Sequence, residues 1–343
     1  MAIETPTTDD RVIWDIWTST YWLPSLLVAD ELGLFKALDE EPATMADLAR
    51  RLDLNAKGIE ILLPMLASLG LLVPRLGRFH LTDAARNYLL PESPYYWGGV
   101  FPAGRQNNAL YALLRDRLTR TANLGRGDAE QERPADAWAS GHVDMERARA
   151  IARFMHSHSL PAAVGAARNG DFGGVRRLLD VGGGSGCFSV ALAQTYPKLR
   201  CTIMELPTMC EVALEYVAAA GVSDRVDARA VDMFREPWPE GYDALFFSNV
   251  FHDWSFETCA ELTQKAFEAL PASGRIYLHE ILLDEDVAGP RVAASFSVMM
   301  LIGTRGRQFT FGELAGLLQS AGFVDVEATA TYGYYSLVAA RRP

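Results

Sequence analysis

The chain has 343 residues, of which 49% are hydrophobic, and it carries a formal net charge of −11. This length predicts two or more folded units with sizeable cores. The acidic balance argues against a nucleic-acid partner, because a phosphate backbone must be met by a basic surface. No apolar run approaches membrane-spanning length, which argues against a membrane partner.

The N-terminal residues are polar and acidic, without the basic and apolar regions of a secretory signal. The four cysteines lack metal-ligand or CxxC spacing and are predicted to be buried thiols, with no metal site; they are Cys187, Cys201, Cys210 and Cys259. These features predict a cytoplasmic enzyme that acts on a small molecule.

Helix, turn, helix and hairpin signals follow one another in the N-terminal half. Thr44 suits the start of a first helix, a second helix is predicted over 56–69, and a hairpin over 71–81 turns at 74–77. This winged-helix pattern is typical of DNA binding. The second helix has only Lys57 as a basic residue, however, whereas a helix that reads the major groove presents donors and positive charge. We therefore interpret it as a packing element.

The first hundred positions contain a surplus of aromatic residues, which predicts an interface covered by another domain or a second subunit. These residues are Trp14, Trp17, Tyr21, Trp22, Tyr95, Tyr96 and Trp97. Further on, the apolar spacing over 143–160 predicts a helix, and the polar segment 121–134 predicts an exposed loop. A domain boundary is expected near 169–174, where helix-breaking residues cluster.

Strands alternate with helices from residue 171 to the C-terminus. The predicted strands are 177–181, 200–205, 225–230, 244–248, 275–280, 324–330 and 336–340. Such alternation predicts a mostly parallel, doubly wound α/β sheet, and the short connection between the last two strands predicts an antiparallel edge hairpin. A sheet of this kind binds its ligand at the carboxyl ends of its strands.

The pattern Asp-x-Gly-x-Gly-x-Gly at 180–186 separates the first of these strands from a helix. A turn without side chains lets a nucleotide-like ligand approach the backbone and the free N–H groups of the helix. The spacing does not fit the dinucleotide pattern, because Cys187 or Ser189 stands where its third glycine or alanine belongs. It resembles the glycine loop of S-adenosylmethionine-dependent methyltransferases; a plain strand–helix turn is the alternative.

Acidic residues follow the next two strands. Glu205 ends the second strand, where an acid accepts hydrogen bonds from a ribose diol. Asp232, Met233 and Phe234 follow the third strand, and one acid with two apolar side chains suits an adenine ring. Each acid taken singly could instead be a solvated loop carboxylate.

The segment Asn-Val-Phe-His-Asp-Trp at 249–254 ends the fourth strand, and Ala-Leu-Pro at 269–271 precedes the fifth. Together with the glycine loop, Glu-Leu-Pro at 205–207 and Asp-Met-Phe at 232–234, these motifs resemble the small-molecule O-methyltransferases over the whole chain. That family includes plant caffeate and flavonoid enzymes. It also includes bacterial enzymes that act on antibiotics, phenazines and carotenoid precursors.

The resemblance implies a class I methyltransferase fold with a Rossmann-like sheet and a mainly helical, winged-helix-like N-terminal domain. It also implies a homodimer formed through that domain. We accordingly predict a dimerisation domain over 1–103, linking helices over 104–170 that contribute to the acceptor pocket, and an S-adenosylmethionine-binding catalytic domain over 171–343.

His252 is the candidate general base, because it ends a strand at the crevice and a phenolic acceptor with a pKa of about 10 must lose its proton. The resemblance gives this histidine the same role and matches Glu280 to the glutamate that flanks it, with Asp253 completing the catalytic set. A structural His-Asp pair is the alternative. A second family glutamate is replaced here by Gln308, which accepts a hydrogen bond but cannot stabilise an imidazolium charge.

The cofactor implied by the resemblance is S-adenosylmethionine. Its expected contacts are Ser159, Asp180, Gly182, Gly184, Glu205, Leu206, Asp232, Met233, Phe234 and Ser248. The expected acceptor contacts are Met155, Phe251, Trp254, Phe296, Met299, Met300 and Gln308. Apolar residues at helical spacing could equally be plain core. Met155 and Ser159 lie in a segment resembling one whose methionine lines the acceptor pocket and whose serine reaches the cofactor's amino-acid end.

Three alternative functions stay open at this point. One is C- or N-methylation of a small molecule on the same fold. Another is a metal-dependent variant in which His252 and Asp253 are ligands, although 303–305 offers no good third ligand. The last is a cofactor-binding regulator that touches DNA, against which the acidic charge and the apolar second helix argue.

Overall fold

The computed structural model describes residues 4–119 and 143–343, and the loop predicted at 121–134 lies outside them. The chain divides into two compact units. One, here called the sheet unit, comprises Met1–Arg11, Arg133–Ile281 and Phe311–Pro343; the other, the helical unit, comprises Val12–Glu132 and Leu282–Thr310.

The elements of the described residues run as follows in chain order. The helices are α1 (Arg11–Thr18), α2 (Trp22–Glu31), α3 (Leu34–Glu40), α4 (Met45–Arg51), α5 (Ala56–Ser68), α6 (Asp83–Leu89), α7 (Phe101–Arg105), α8 (Ala109–Thr119), α9 (Met145–Asn169), α10 (Cys187–Thr195), α11 (Pro207–Ala219), α12 (Phe256–Ala269), α13 (Arg291–Gly303) and α14 (Phe311–Ser320). The strands are β1 (Leu72–Arg75), β2 (Arg78–Leu81), β3 (Arg177–Val181), β4 (Arg200–Glu205), β5 (Val226–Ala230), β6 (Ala244–Ser248), β7 (Arg275–Ile281), β8 (Val324–Tyr332) and β9 (Tyr335–Arg341).

The sheet unit is built on a seven-stranded sheet with the order β5-β4-β3-β6-β7-β9-β8. The strands β3 to β7 pair in parallel, whereas β9 is antiparallel to both β7 and β8. This confirms the predicted mostly parallel sheet with an antiparallel edge hairpin. The hairpin turn is shorter than the predicted connection, because β8 continues to Tyr332 and pairs with Tyr335, leaving only Gly333 and Tyr334 as the turn.

The strand order reverses beside β3. The chain runs outward from β3 to β4 and β5 and then returns to the opposite side of β3 to form β6. The carboxyl ends of these strands therefore meet at one edge, around a topological switch point where such sheets bind ligands. The loops that begin at residues 182, 206, 231 and 249 all start at this edge.

The two-stranded hairpin of the helical unit differs from its prediction in the length of its turn. β1 continues through Pro74, which pairs with Phe79, so the turn consists of Leu76 and Gly77 alone. Both turn residues have left-handed φ angles, 51° and 74°, as a two-residue turn that follows the strand twist requires. The preceding helices are confirmed, and the Thr44 hydroxyl caps α4 by accepting from the Asp47 N–H at 3.1 Å.

The helix α9 is longer than the predicted 143–160, since it continues through Pro161 to Asn169. Proline removes one helical hydrogen bond, and burial of the following turns compensates for it. Residues 162–167 are all buried, and Gly165 packs so closely against β8 that a Cβ there would lie 2.4 Å from Tyr332.

Some of the N-terminal aromatic residues are covered within their own chain, whereas Tyr95 and Trp97 are 67% and 59% exposed. Trp14 is 3% exposed and packs against Phe296 of α13 at a ring distance of 5.7 Å, and the Trp22 indole donates to the Ser295 hydroxyl at 3.1 Å. The contact between α1 and α13 joins residues far apart in the chain, so the sequence pattern did not reveal it. The large apolar side chains left exposed on α1 and at the start of α2 are Val12, Ile13, Ile16 and Leu23.

Within residues 4–119 and 143–343, no helix combines the length and the apolar character needed to cross a membrane. The four cysteines are buried free thiols, as predicted. The same described residues contain no group of three or more His, Cys, Asp or Glu side chains that could hold a metal ion.

Candidate active site

The glycine loop after β3 uses its glycines for two different purposes. Gly182, Gly184 and Gly186 all have left-handed φ angles, 70°, 55° and 73°. A Cβ on Gly186 would lie 2.5 Å from Ile203, so packing excludes a side chain there. A Cβ on Gly184 would meet only the Met155 side chain, at 3.8 Å. The backbone at Gly184 is therefore accessible to a ligand, as the cradle of a nucleotide-like molecule requires.

Asp180 lies under this loop. It is 1% exposed, and its Oδ2 accepts a hydrogen bond from the Ser189 hydroxyl at 2.7 Å. Burial raises the pKa of Asp180 to about 6, against the opposing effect of the Ser189 hydrogen bond. Close packing also fixes the loop above it, since a Cβ on Gly183 would lie 2.8 Å from the Asp180 carboxyl carbon.

A cleft of about 560 Å³ opens at the carboxyl ends of the strands, and we call it the strand-end cleft. It is lined by Met155, Gly182, Met204, Glu205, Leu206, Val231, Asp232, Met233, Phe234, Asn249, Val250, Asp253 and Trp254. The structure thus brings together predicted residues from the ends of four different strands, β3 to β6, which are far apart in sequence.

Glu205 ends β4 in this cleft as a partly buried carboxylate. Its Oε2 accepts from the Leu206 N–H at 2.8 Å. Burial raises the pKa of Glu205 to about 7, although backbone hydrogen bonds from Leu206 and Gly184 oppose the shift. A carboxylate that is costly to ionise gains from a ligand that donates hydrogen bonds to it.

Asp232 organises the loop after β5. Its Oδ1 accepts from the backbone N–H groups of Phe234 at 2.9 Å and Arg235 at 3.2 Å, which closes a turn. The Phe234 ring stands edge-on to Trp254 at 4.6 Å. Asp232 and the aromatic rings of Phe234 and Trp254 therefore lie on one side of the cleft, where they suit a planar heterocyclic ring.

A second, smaller cavity adjoins the glycine loop, and we call it the loop cavity. It is lined by Met155, Ser159, Asp180, Gly182, Gly183, Gly184, Ser185, Cys187, Phe188, Ser248 and Asn249. Ser159 reaches it from α9 and Ser248 from the end of β6. The two cavities share Met155, Gly182 and Asn249, so one elongated ligand could occupy both.

His252 lies in a short turn after β6 and is 4% exposed. Its Nδ1 is 2.7 Å from Glu280 Oε2, and its Nε2 is 3.8 Å from Asp253 Oδ1, which is beyond hydrogen-bonding distance. An ionised carboxylate can only accept, so Nδ1 carries the proton and Nε2 is the basic nitrogen of the neutral ring. This geometry suits a general base held by an orienting carboxylate.

The electrostatics of the pair favour a charged imidazole. Burial lowers the pKa of His252, but the charge and hydrogen bond of Glu280 and the charge of Asp253 together bring it above its ordinary value. Burial raises the pKa of Asp253 to about 6, with His252 acting in the opposite direction. Glu280 is 1% exposed on β7, and its Oε1 has no hydrogen-bond partner among the described residues.

The residues predicted to contact an acceptor are divided between the units. In the sheet unit, Met155 and Trp254 line the strand-end cleft, whereas Phe251 is fully buried with its ring 5.3 Å from Phe247. The remaining four belong to the helical unit: Phe296, Met299 and Met300 on α13, and Gln308 after it. Of these four, Met299 is partly buried and the others are buried.

Sequence reasoning missed Asn249. This residue has a left-handed φ of 55°, is 6% exposed, lines both cavities, and has a buried Oδ1 without a hydrogen-bond partner among the described residues. Backbone strain and an unsatisfied polar atom are typical of a functional site. A polar Ser-Asn pair at a strand end was the available signal. His279 and Thr331 were missed as well, because only the folded sheet brings them together.

Comparisons with known proteins identify the family of the chain. The model of the O-methyltransferase domain matches residues 124–324, and that of the O-methyltransferase dimerisation domain matches 14–91. The chain is 34% identical to the 3-hydroxy-5-methyl-1-naphthoate 3-O-methyltransferase of Streptomyces sahachiroi, over 92% of this chain and 90% of that protein.

Two solved structures are similar over almost the full length. An O-methyltransferase family 2 protein of Planctomyces limnophilus in complex with apigenin has a TM-score of 0.86 and 30% identity, covering 100% of both chains. Human N-acetylserotonin methyltransferase in complex with S-adenosylmethionine has a TM-score of 0.60 and 25% identity, covering 99% of both chains. The chain therefore belongs to the O-methyltransferase family and is an S-adenosylmethionine-dependent methyltransferase.

We expect the Gly184→Val variant to lose measurable binding of S-adenosylhomocysteine in calorimetry. A branched side chain would fill the accessible side of the glycine loop and would strain its left-handed backbone. Gly316→Val on α14 is the matched control, since a Cβ at Gly316 would have no atom within 4 Å. Unchanged affinity in a folded Gly184→Val protein would show that the loop does not hold the cofactor.

Proposed function

We propose that this enzyme transfers a methyl group to a hydroxyl of an aromatic or polyketide-like small molecule in secondary metabolism, with His252 as the general base. The observation that carries the proposal is the buried hydrogen bond of 2.7 Å between His252 Nδ1 and Glu280. The names of the relatives support the acceptor class, because one is a 3-hydroxy-5-methyl-1-naphthoate 3-O-methyltransferase and another was solved in complex with apigenin.

The two cavities fit S-adenosylmethionine. Glu205 in the strand-end cleft suits the ribose diol, and Asp232, Met233, Phe234 and Leu206 suit the adenine. In the loop cavity, Ser159 and Ser248 suit the amino-acid end, beside the open face of Gly184. Asp180 does not need to contact the cofactor, because it lies under the glycine loop and supports it through the hydrogen bond from the Ser189 hydroxyl. When bound, the cofactor supplies a methyl group on a positively charged sulfur.

His252 removes the proton of the acceptor hydroxyl. As the new carbon–oxygen bond forms and the carbon–sulfur bond breaks, Nε2 takes the hydroxyl proton. Glu280 holds Nδ1–H, keeps the ring in the required tautomer, and stabilises the imidazolium that results. Asp253 adds a second negative charge near Nε2, 3.8 Å away.

The residues that contact the acceptor remain predictions. The domain boundaries after residues 103 and 170 also remain predictions. Met155 and Trp254 line the cleft beside Asp253, which supports a place for them near the reacting group. Phe251, Phe296, Met299, Met300 and Gln308 keep their predicted role of shaping the acceptor pocket. Gln308 is fully buried, so it suits a fixed hydrogen-bonding position better than a solvated one.

We expect His252→Ala to lower the methylation rate by about 10²–10⁴-fold at neutral pH, the usual contribution of a general base. The loss should shrink for phenols of lower pKa and at higher pH, where the acceptor ionises unaided. Steady-state rates over a series of substituted phenols test this.

The affinity for S-adenosylhomocysteine should stay unchanged in His252→Ala, and His80→Ala in the hairpin of the helical unit serves as the matched control. If His252→Ala kept near wild-type turnover at neutral pH, His252 would have a structural role and would not be the general base.

We also infer that the protein forms a homodimer through its N-terminal domain, where the dimerisation model matches. Val12, Ile13 and Ile16 are 61%, 65% and 67% exposed on α1. Their spacing places them on one side of the helix, next to the buried Trp14. A two-fold axis would bury this patch on both subunits at once.

Light scattering at micromolar concentration should report twice the chain mass for the wild type and the single mass for Ile16→Glu, because a buried, unpaired charge opposes association. Leu76→Glu, at the exposed tip of the hairpin, is the control and should remain dimeric. A wild type that is a stable, fully active monomer would contradict the dimer.

A further inference from the structure

His279 on β7 is a polar residue in the middle of the apolar core of the sheet unit. It is fully buried, and its ring stacks on Tyr335 with a centroid distance of 4.9 Å and an interplanar angle of 1°. Both ring nitrogens have partners: Nδ1 lies 3.1 Å from the Ser248 hydroxyl, and Nε2 lies 2.9 Å from the Thr331 hydroxyl. His279 thus joins the edge hairpin to the end of β6.

The direction of each hydrogen bond in this chain is determined. The Thr331 hydroxyl donates its proton to the Tyr335 carbonyl at 3.1 Å, so its oxygen can only accept from Nε2–H of His279. Burial lowers the pKa of His279 to about 3, so the ring is neutral and Nδ1 has a lone pair. The Ser248 hydroxyl must therefore donate to Nδ1.

Ser248 also lines the loop cavity. Because its proton points to His279, it offers only lone pairs to a ligand in that cavity. The next residue, Asn249, lines the same cavity and has a buried Oδ1 without a partner among the described residues. Two consecutive residues with acceptor oxygens therefore line the same cavity.

We propose that His279, by fixing the Ser248 hydroxyl as an acceptor, makes the loop cavity selective for the α-ammonium group of the cofactor's methionine portion. The inference rests on the proposed placement of the amino-acid end in this cavity. An ammonium group has three donors and a positive charge, which suit an acceptor-only wall. A carboxylate would meet lone pairs there, and the sulfonium has no N–H or O–H donor. His279 is a positioning residue, since it acts through Ser248.

The test compares ligands with and without the amino-acid portion. His279→Phe keeps an aromatic ring against Tyr335 but removes both nitrogens, so the Ser248 proton can turn toward the cavity. We expect its affinity for S-adenosylhomocysteine, measured by calorimetry, to fall roughly 10- to 100-fold, as for loss of a charge-assisted hydrogen bond. Its affinity for 5′-methylthioadenosine, which lacks the amino-acid portion, should be unchanged.

An analogue of S-adenosylhomocysteine without the α-amino group distinguishes the ammonium from the carboxylate. Wild type and His279→Phe should bind this analogue equally. A loss as large as that for S-adenosylhomocysteine would mean that the carboxylate is the group recognised, and it would overturn the proposal.

Two further variants separate positioning from core packing. His279→Asn places an amide oxygen near the position of Nδ1, so it should accept from Ser248 and restore most of the affinity. Ser248→Ala should show the same ligand-specific loss as His279→Phe, and the double variant should lose no more than either single one. If His279→Phe does not fold, the affinities of Ser248→Ala for the same ligands test the proposal alone.

Equal losses for S-adenosylhomocysteine and 5′-methylthioadenosine in the variants would overturn the proposal and leave His279 a structural role. So would equal affinities of the Phe and Asn variants, or unchanged affinity in Ser248→Ala. Failure of the proposed hydroxyl methylation gives a different result, because it would appear in the rates of His252→Ala and would change none of these affinities for the adenosyl ligands.

Discussion

The hydrogen bond between His252 and Glu280 is the interaction on which the site depends. It is buried, so water screens it little. Burial lowers the pKa of the imidazole, but the charge and hydrogen bond of Glu280, together with the charge of Asp253, bring that pKa above its ordinary value. It also sets the tautomer, because a carboxylate accepts and Nδ1 must donate. Glu280 therefore fixes the orientation, the tautomer and the charge of the His252 ring. Removal of a proton from a weakly acidic hydroxyl requires a base held in this way.

The register of two parallel strands produces this pair. Ser248 at the end of β6 lies opposite His279 on β7, and the Asn249 N–H donates to the His279 carbonyl at 3.2 Å. One residue further along β7 is Glu280, below the turn that carries His252. The same register therefore builds the proposed base on one side and the His279–Ser248 contact on the other. A shift of one residue would reverse the faces of the strand side chains and destroy both.

The helices, the strands and the residue types of the candidate site could be predicted from the sequence. The contacts between residues far apart in the chain could not. Alternating strands and helices, and a glycine loop that needs left-handed backbone at Gly184, are local signals. The burial of Trp14 against Phe296 depends on α13, and the continuation of α9 beyond Pro161 depends on packing against β8. Likewise, His279 gave no sign of its partners, because Ser248 and Thr331 meet it only after the sheet has formed.

Nitrogen-15 NMR of the histidine side chains, followed as a function of pH, reports both the tautomer and the pKa of His252. We expect neutral His252 to carry its proton on Nδ1, Nε2 to be the nitrogen that titrates, and the pKa to lie above the ordinary value of about 6.5. A Glu280→Gln protein should titrate at lower pH, because burial then acts without the opposing carboxylate charge. A neutral ring protonated on Nε2, or a His252 pKa unchanged in Glu280→Gln, would show that Glu280 does not orient and activate His252.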